Sequence, residues 1–235
     1  MPVDAYQALR DALRMSARKV VWMSLAVVLC VACNKKLHAN TQVLLDALAN
    51  GDYAAVKAIA GPKLLEEMEE HRFMQMSATY QMLGPLKDKT RTATGTQNGT
   101  QYIQYKLTFE SGKTLELRVV STSKGALDGF HIEGETWEEA MTALLEDRAT
   151  KFADAFAAND RAAFPKLFTD NLMKDVESRG GFTGVDVGKR TKIELLERAE
   201  EKLSATYRVT FEKGTVKLRV GLRGGKISSF DIEPL

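Results

Sequence analysis

The histidines are the first candidates for acid–base chemistry, because their side chains titrate closest to neutral pH. The chain has three of them, His38, His71 and His131. His131 lies in a segment of alternating polar and apolar residues, so strand geometry places it on the face opposite Phe130 and Ile132. If these two apolar side chains face the core, His131 lies outside it. We therefore predict no catalytic residue at this position.

His71 follows Glu67 by four residues in the acidic sequence EEMEEHRF, and two such side chains on one helix face could share a metal ion. Two ligands do not complete a metal site, and the charged face of a helix is normally solvated. The sequence also has no glycine-rich phosphate loop, nucleophile elbow or Cys/His cluster. We therefore predict a solvated helix face at His71, with no metal site and no cofactor.

A cluster of basic residues is a candidate interaction surface. Arg118 and Arg219 occupy corresponding places in two similar segments, each between two aliphatic residues. Together with Arg208, Lys217 and Arg223, they form a candidate patch for anionic head groups or for a partner. Charged residues also cover the solvated face of an ordinary antiparallel sheet. Both interpretations of these five residues remain open at this stage.

Cys33 is the thiol with the most distinctive context. The basic stretch Arg14 to Lys19 precedes an uncharged apolar run that ends at Ala32, which is the pattern of an export signal. This run of about 13 residues is shorter than the roughly 20 that a membrane-spanning helix needs. Ala32 before Cys33 resembles the cleavage box of bacterial lipoproteins, in which the cysteine is acylated and becomes the new N-terminus. The position three before it is Cys30, where leucine is usual.

We accordingly predict a signal peptide over residues 1–32, a lipidated tether over 33–39 and translation from Met15, because Asp4 and Asp11 are unusual before such a basic cluster. The alternatives are an uncleaved signal anchor and a signal cut elsewhere. Residues 1–32 hold four of the 33 basic and two of the 31 acidic residues, which leaves 29 of each. This zero net charge gives no reason to expect nucleic acid as a partner.

The remaining chain contains a long internal similarity. Two segments about a hundred residues apart resemble each other, at 105–133 and 207–233: YKLTFESGKTLELRVVSTSKGALDGFHIE and YRVTFEKGTVKLRVGLRGGKISSFDIE. Residues 44–56 also align with 152–164 without a gap. Because both ends of a unit recur, we predict duplication of a whole domain, with one copy over 40–134 and the other over 135–235.

Each copy begins with apolar residues at helical spacing. These helices are predicted to end at Asn50-Gly51 and Asn159, and Asp52 and Asp160 are predicted to cap the next helices. A further helical segment runs from Pro62 to Leu83. The period then changes to two, with turns at 97–99, 111–112 and 124–125 in the first copy and at 212–214 and 224–225 in the second. This pattern predicts a meander of about four strands in each copy.

Two segments of the second copy have sequence features of helices. Thr136 to Glu139 has the composition of a capping box that opens a long helix to about Ala158, which would connect the copies stiffly. The segment Lys192 to Leu203 has helix-favouring composition, but the register of the repeat makes it a hairpin that turns near Ala199-Glu200-Glu201. We predict the hairpin.

The sequences LANGDYAAVKAI and LTFESGKTLELRVV...GALDGFHIE are similar to those of the nuclear transport factor 2 and ketosteroid isomerase superfamily. They resemble its bacterial lipoprotein branch of uncharacterised function, and the resemblance covers residues 40–133 and 145–233. It implies an α+β fold with two tandem repeats, each with two to three helices packed on a curved antiparallel sheet and often an apolar pocket inside the cone. A shared fold does not transfer a reaction.

We predict a lipid-anchored protein of the cell envelope that acts by binding. Its partner would be an envelope protein, a peptidoglycan fragment or a small apolar ligand, contacted by one copy or by both. The alternative is an enzyme of hydrolase or isomerase type with its site in a cone pocket. Asn34 replaces the aspartate associated in some bacteria with inner-membrane retention, so the periplasmic face of the outer membrane is expected in a diderm organism.

Overall fold

The structure is a computed structural model that describes residues 35–97, 99–181, 186–199 and 203–235. The helices are α1 (35–50), α2 (Tyr53–Ile59), α3 (Pro62–Glu67), α4 (Glu70–Gln81), α5 (Glu135–Ala157), α6 (Phe164–Leu167) and α7 (Asp170–Ser178). The strands are β1 (Leu86–Gln97), β2 (Thr100–Phe109), β3 (Thr114–Ser121), β4 (Leu127–Glu133), β5 (Arg190–Ala199), β6 (Ser204–Phe211), β7 (Gly214–Arg223) and β8 (Lys226–Pro234). They form two four-stranded antiparallel sheets, β1-β2-β3-β4 and β5-β6-β7-β8, which confirms the α+β fold class.

The first helix ends as the sequence predicts. Gly51 adopts a positive φ of 72°, and the Asp52 carboxylate accepts a hydrogen bond from the Ala55 amide at 3.0 Å, so Asp52 caps α2. Residues 35–39, which we assigned to the tether, lie in α1, and Leu37 is fully buried. Cys33, the predicted lipidation site, lies outside the described residues.

The prediction of a helix cap at Asp160 is wrong. Asn159 does adopt a positive φ of 52°, but the carboxylate of Asp160 accepts from the Ala162 amide at 3.1 Å and stabilises only a turn. Helix α6 starts later, with Ala163 at its N-cap position. An aspartate in this position can bond a nearby amide in a turn as well as at a helix start, so sequence pattern does not separate the two.

The single predicted helix from Pro62 to Leu83 is two helices. Met68 and Glu69 leave the helical conformation between α3 and α4, and the Met68 carbonyl accepts a hydrogen bond from the Tyr53 hydroxyl at 2.6 Å. This tertiary contact satisfies a carbonyl that has lost its helical partner. The break therefore depends on a residue 15 positions earlier in the chain.

Helix α5 is the predicted long connecting helix, but its start differs. Its N-cap residue is Gly134 with a φ of 120°, and no side chain caps the helix. The predicted capping box at Thr136 is wrong, because the chain already enters the helix at Glu135 directly after β4. The first turn still carries Glu135 and Glu138, whose negative charges favour the positive end of the helix dipole.

The alternating patterns form the inner faces of the sheets. On β2, Ile103, Tyr105 and Leu107 are buried, and on β6 Ala205, Tyr207 and Val209 are buried. The segment that begins at Lys192 lies in strand β5, which ends at Ala199 and pairs antiparallel with β6. The prediction of a hairpin in place of a helix is therefore confirmed. Asn98, Glu200 and Glu201 of the predicted turns lie outside the described residues.

Two apolar clusters form the core. The first contains residues between 37 and 140, including Tyr105 and Phe109, and the second contains residues between 144 and 227, including Phe152 and Phe168. Aromatic side chains thus occupy the space between helices and sheet on both sides. Among the helices of the described residues, none has both the length and the apolar character needed to span a membrane.

Candidate functional site

A cavity of about 480 Å³ lies where α4, the start of α5 and the turn between β7 and β8 meet. It is therefore built from both sheet-and-helix halves of the chain. Its apolar walls come from Met76 on α4, Trp137 and Met141 on α5, and Leu203 and Leu222 beside the second sheet. A volume of this size is within the range of about 300–1,000 Å³ that small-molecule sites occupy.

The Gly224-Gly225 turn lies against α4, and Gly225 is the residue that permits the close approach. Gly224 and Gly225 have positive φ values of 60° and 75°. A Cβ added at Gly225 would lie 2.5 Å from the Cβ of Ala78, inside van der Waals contact. The Gly225 amide donates to Gln75 Oε1 at 2.9 Å, and its carbonyl accepts from Arg148 Nε at 2.8 Å. The turn is thus fixed between α4 and α5.

Gln75 is the polar residue of the cavity wall with an unmet hydrogen bond. Its side chain is only 8% exposed, and its Nε2 has no partner among the described residues. A buried donor without a partner costs about 1–3 kcal/mol.

The ionisable residues that line the cavity are all basic among those that the structure describes: His71, Arg72 and Arg223. His71 lies 3.0 Å from the carboxylate of Glu69, and Arg72 donates to the backbone carbonyl of Glu67 at 3.4 Å. His71, predicted to lie on a solvated helix face, has a side chain that is 35% exposed and also forms part of the cavity wall. No group of three metal-binding side chains occurs within the described ranges.

Three of the five predicted patch residues share one face of the second sheet. Arg208 and Lys217 are direct cross-strand neighbours on β6 and β7, and Arg219 follows two positions later. Carboxylates are interleaved with them: Glu194 lies 3.9 Å from Arg208, and Glu233 lies 3.5 Å from Lys217. Arg219 stands opposite Asp231 in the register of β7 and β8. This face has mixed charge, which is typical of a solvated sheet surface.

The other two patch residues lie elsewhere. Arg118 is on β3 of the first sheet, where its guanidinium stacks over Tyr102 at 4.5 Å and donates to Gln97 Oε1 at 2.5 Å. Its Nε is buried without a partner among the described residues, beside a small cavity of about 280 Å³ that Lys63 and Asp128 also line. Arg223 lines the larger cavity described above. The five residues therefore do not form one surface.

A wider depression of about 660 Å³ lies between α5 and α6. Its charged residues largely pair with groups of the protein: Arg148 and Lys151 with Asp147, and Asp154 with Arg190 through two hydrogen bonds. Internal pairing of this kind leaves few unmet interactions for a ligand. We therefore regard the cavity beside Gln75 as the stronger candidate.

The inner faces of the two sheets carry one buried tyrosine each. The Tyr105 hydroxyl is 2.5 Å from Nδ1 of His38, which is exposed on α1. The Tyr207 hydroxyl has no partner among the described residues, and burial together with the negative charge of Glu146 raises its pKa. Both phenols belong to the packed cores.

His131 is exposed beside Glu133, as predicted.

Gln75 and Trp137 were not identified as site residues from the sequence, because both lie in segments that were predicted only to be helical. The turn between β7 and β8 has Gly224-Gly225 where the turn between β3 and β4 has Lys124-Gly125. Gly225, the glycine that contacts α4, thus has a glycine counterpart in the first sheet and gave no separate signal. Comparison of the chain with protein-family models, with characterised proteins and with solved structures finds no match.

Proposed function

We propose that this protein is a non-enzymatic binding protein of the cell envelope, and that it takes up a small apolar molecule in the cavity beside Gln75. One observation carries the proposal: a space of about 480 Å³ whose walls are mainly apolar and which Arg72, Gln75 and Arg223 also line. Apolar walls with a few placed polar groups are the usual composition of a ligand site.

The packing of the two cores supports binding over catalysis. An enzyme with its site in a cone would need an ionisable group at an open apolar pocket. Tyr105 and Tyr207 are instead 0% and 1% exposed and are surrounded by core residues, and burial raises the pKa of both phenols and so keeps them protonated. We therefore propose no reaction for the chain.

We also infer that the two halves arose by duplication and that they resemble the nuclear transport factor 2 superfamily. Support comes from positions that correspond in the two sheets. Irregularities in pairing fall at Leu86/Asp88 and Arg91/Ala93 in the first sheet, and at Arg190/Lys192 and Leu195/Glu197 in the second. Each final strand also forms one parallel bridge to a preceding loop, at Leu127 and at Ile227.

The envelope location rests on the sequence around Cys33 and is tested by mass. We expect protein extracted from native membranes to begin at residue 33 and to carry two or three acyl chains, and a Cys33→Ser variant to lack them. A native mass that still includes residues 15–32 without lipid would contradict the anchor. It would point to a signal-anchored or cytoplasmic protein.

Ligand binding is tested with the fluorescence of Trp137. The chain has two tryptophans, so a Trp22→Phe background makes Trp137 the single reporter, and it lies in the cavity wall. We expect 1-decanol, a neutral probe, to shift its emission saturably. Ser228→Phe, which fills the cavity, should abolish the shift. Ser229→Phe, on the exposed face of the same strand, is the matched control and should bind normally. Equal binding by both variants would refute the site.

A further inference from the structure

The charge of the cavity wall bears on the class of ligand. The class of ligand inferred from this charge rests on the proposed function, because it concerns the same cavity. Arg72 and Arg223 both line the cavity, and neither has a carboxylate partner among the described residues. Both arginines are exposed residues. Their guanidinium groups are therefore available to a ligand that enters the cavity.

The polar atoms available to a ligand are mainly donors. His71 already lies against Glu69, and the Gln75 side-chain oxygen accepts from the Gly225 amide. The hydroxyls of Thr79 and Ser228 donate to backbone carbonyls. The two guanidinium groups remain, and guanidinium donors match an oxyanion, whose oxygens accept several hydrogen bonds at once.

The apolar wall favours a ligand that also has a hydrocarbon part. Trp137, Met141 and Leu203 would be in contact with whatever extends from the anionic group, and burial of hydrocarbon against them is favourable by about 25 cal/mol per Å². Methionine side chains adapt to chains of irregular shape. We propose that the ligand is an amphipathic anion, with a carboxylate or phosphate head at Arg72 and Arg223 and an alkyl body against the apolar wall.

The test compares ligands that differ only in the head group. Full-length protein in the Trp22→Phe background is titrated with decanoate, decyl phosphate, 1-decanol and decyltrimethylammonium, with Trp137 emission as the readout. We expect at least one of the two anions to bind about tenfold more tightly than decanol or better, which one charge-assisted hydrogen bond can supply. The cation should bind more weakly than decanol. The two anions differentiate a carboxylate ligand from a phosphate ligand.

In the variant Arg72→Met/Arg223→Met, the preferred anion should bind no more tightly than decanol binds to the same variant. Arg219→Met, on the solvated face of the second sheet, is the matched control and should change neither affinity. If decanol binds as tightly as both anions, or the preference for an anion survives in the double variant, the inference is wrong while the cavity remains a binding site. If no ligand changes Trp137 emission, the proposed function itself fails.

Discussion

Replacement of Gly225 by alanine tests how the two halves of the chain are held together. The backbone of this residue bonds to Gln75 on α4 and to Arg148 on α5. Its φ of 75° is unfavourable for alanine, and the new Cβ would lie 2.5 Å from the Cβ of Ala78. We expect Gly225→Ala to destabilise the fold and to open the cavity beside α4.

The conformational cost and the steric cost are of similar size, but they can be measured separately. A left-handed conformation costs an alanine about 1–2 kcal/mol relative to glycine. Forcing an extra carbon into packed structure costs about 1–3 kcal/mol more. Gly112 provides the matched control, because its φ is 81° and a Cβ there would meet no atom within 4 Å. Gly112→Ala should therefore lower the free energy of unfolding by the conformational cost alone.

The assay is urea unfolding, followed by circular dichroism and by Trp137 emission in the Trp22→Phe background. Ala78→Gly in the Gly225→Ala protein should recover the steric part, although it costs about 1 kcal/mol of helix propensity by itself. The double-mutant cycle should give a coupling of about 1–3 kcal/mol. Additive effects, with Gly225→Ala no worse than Gly112→Ala, would refute the close packing of α4 on this turn.

Three further predictions concern buried and paired groups. Tyr207→Phe should leave the free energy of unfolding unchanged or raise it, because it removes a buried hydroxyl with no partner among the described residues. Tyr105→Phe should lower the free energy of unfolding by about 1 kcal/mol, because its hydroxyl bonds to His38. Urea unfolding measures both changes. Burial raises the pKa of Tyr80 from 10.0 to about 12, so the folded state keeps a proton that the unfolded state loses, and stability should fall as pH rises through this interval. The stability of the Tyr80→Phe variant should fall less over the same pH range. Asp154→Asn should cost about 0.2–1 kcal/mol by loss of the pair with Arg190, and less at 1 M salt.

Each of these has an outcome that contradicts it. Equal losses for the two tyrosine variants would mean that the Tyr207 hydroxyl is bonded in the folded protein. An identical alkaline decline in wild type and Tyr80→Phe would assign the decline to other groups. A loss in Asp154→Asn that does not depend on salt would mean that packing of the side chain, and not its charge, stabilises the contact between α5 and β5.

The amino-acid sequence by itself determined the features that depend on local periodicity and turn chemistry. Alternation placed Ile103, Tyr105 and Leu107 on one strand face, and Asp52 formed the predicted cap because its partner amide is three residues away. The class α+β and the strand identity of the segment from Lys192 follow from the same rules. They could be predicted because neighbours in the chain decide them.

Only the tertiary structure decided the candidate site. The amide of Gly225 and the side chain of Gln75 are 150 residues apart, and their contact brings the helix, the turn and Trp137 around one space. Sequence spacing carries no record of such a pairing. The helix break at Met68 also escaped prediction, since it coincides with a hydrogen bond from Tyr53 that the sequence pattern does not show.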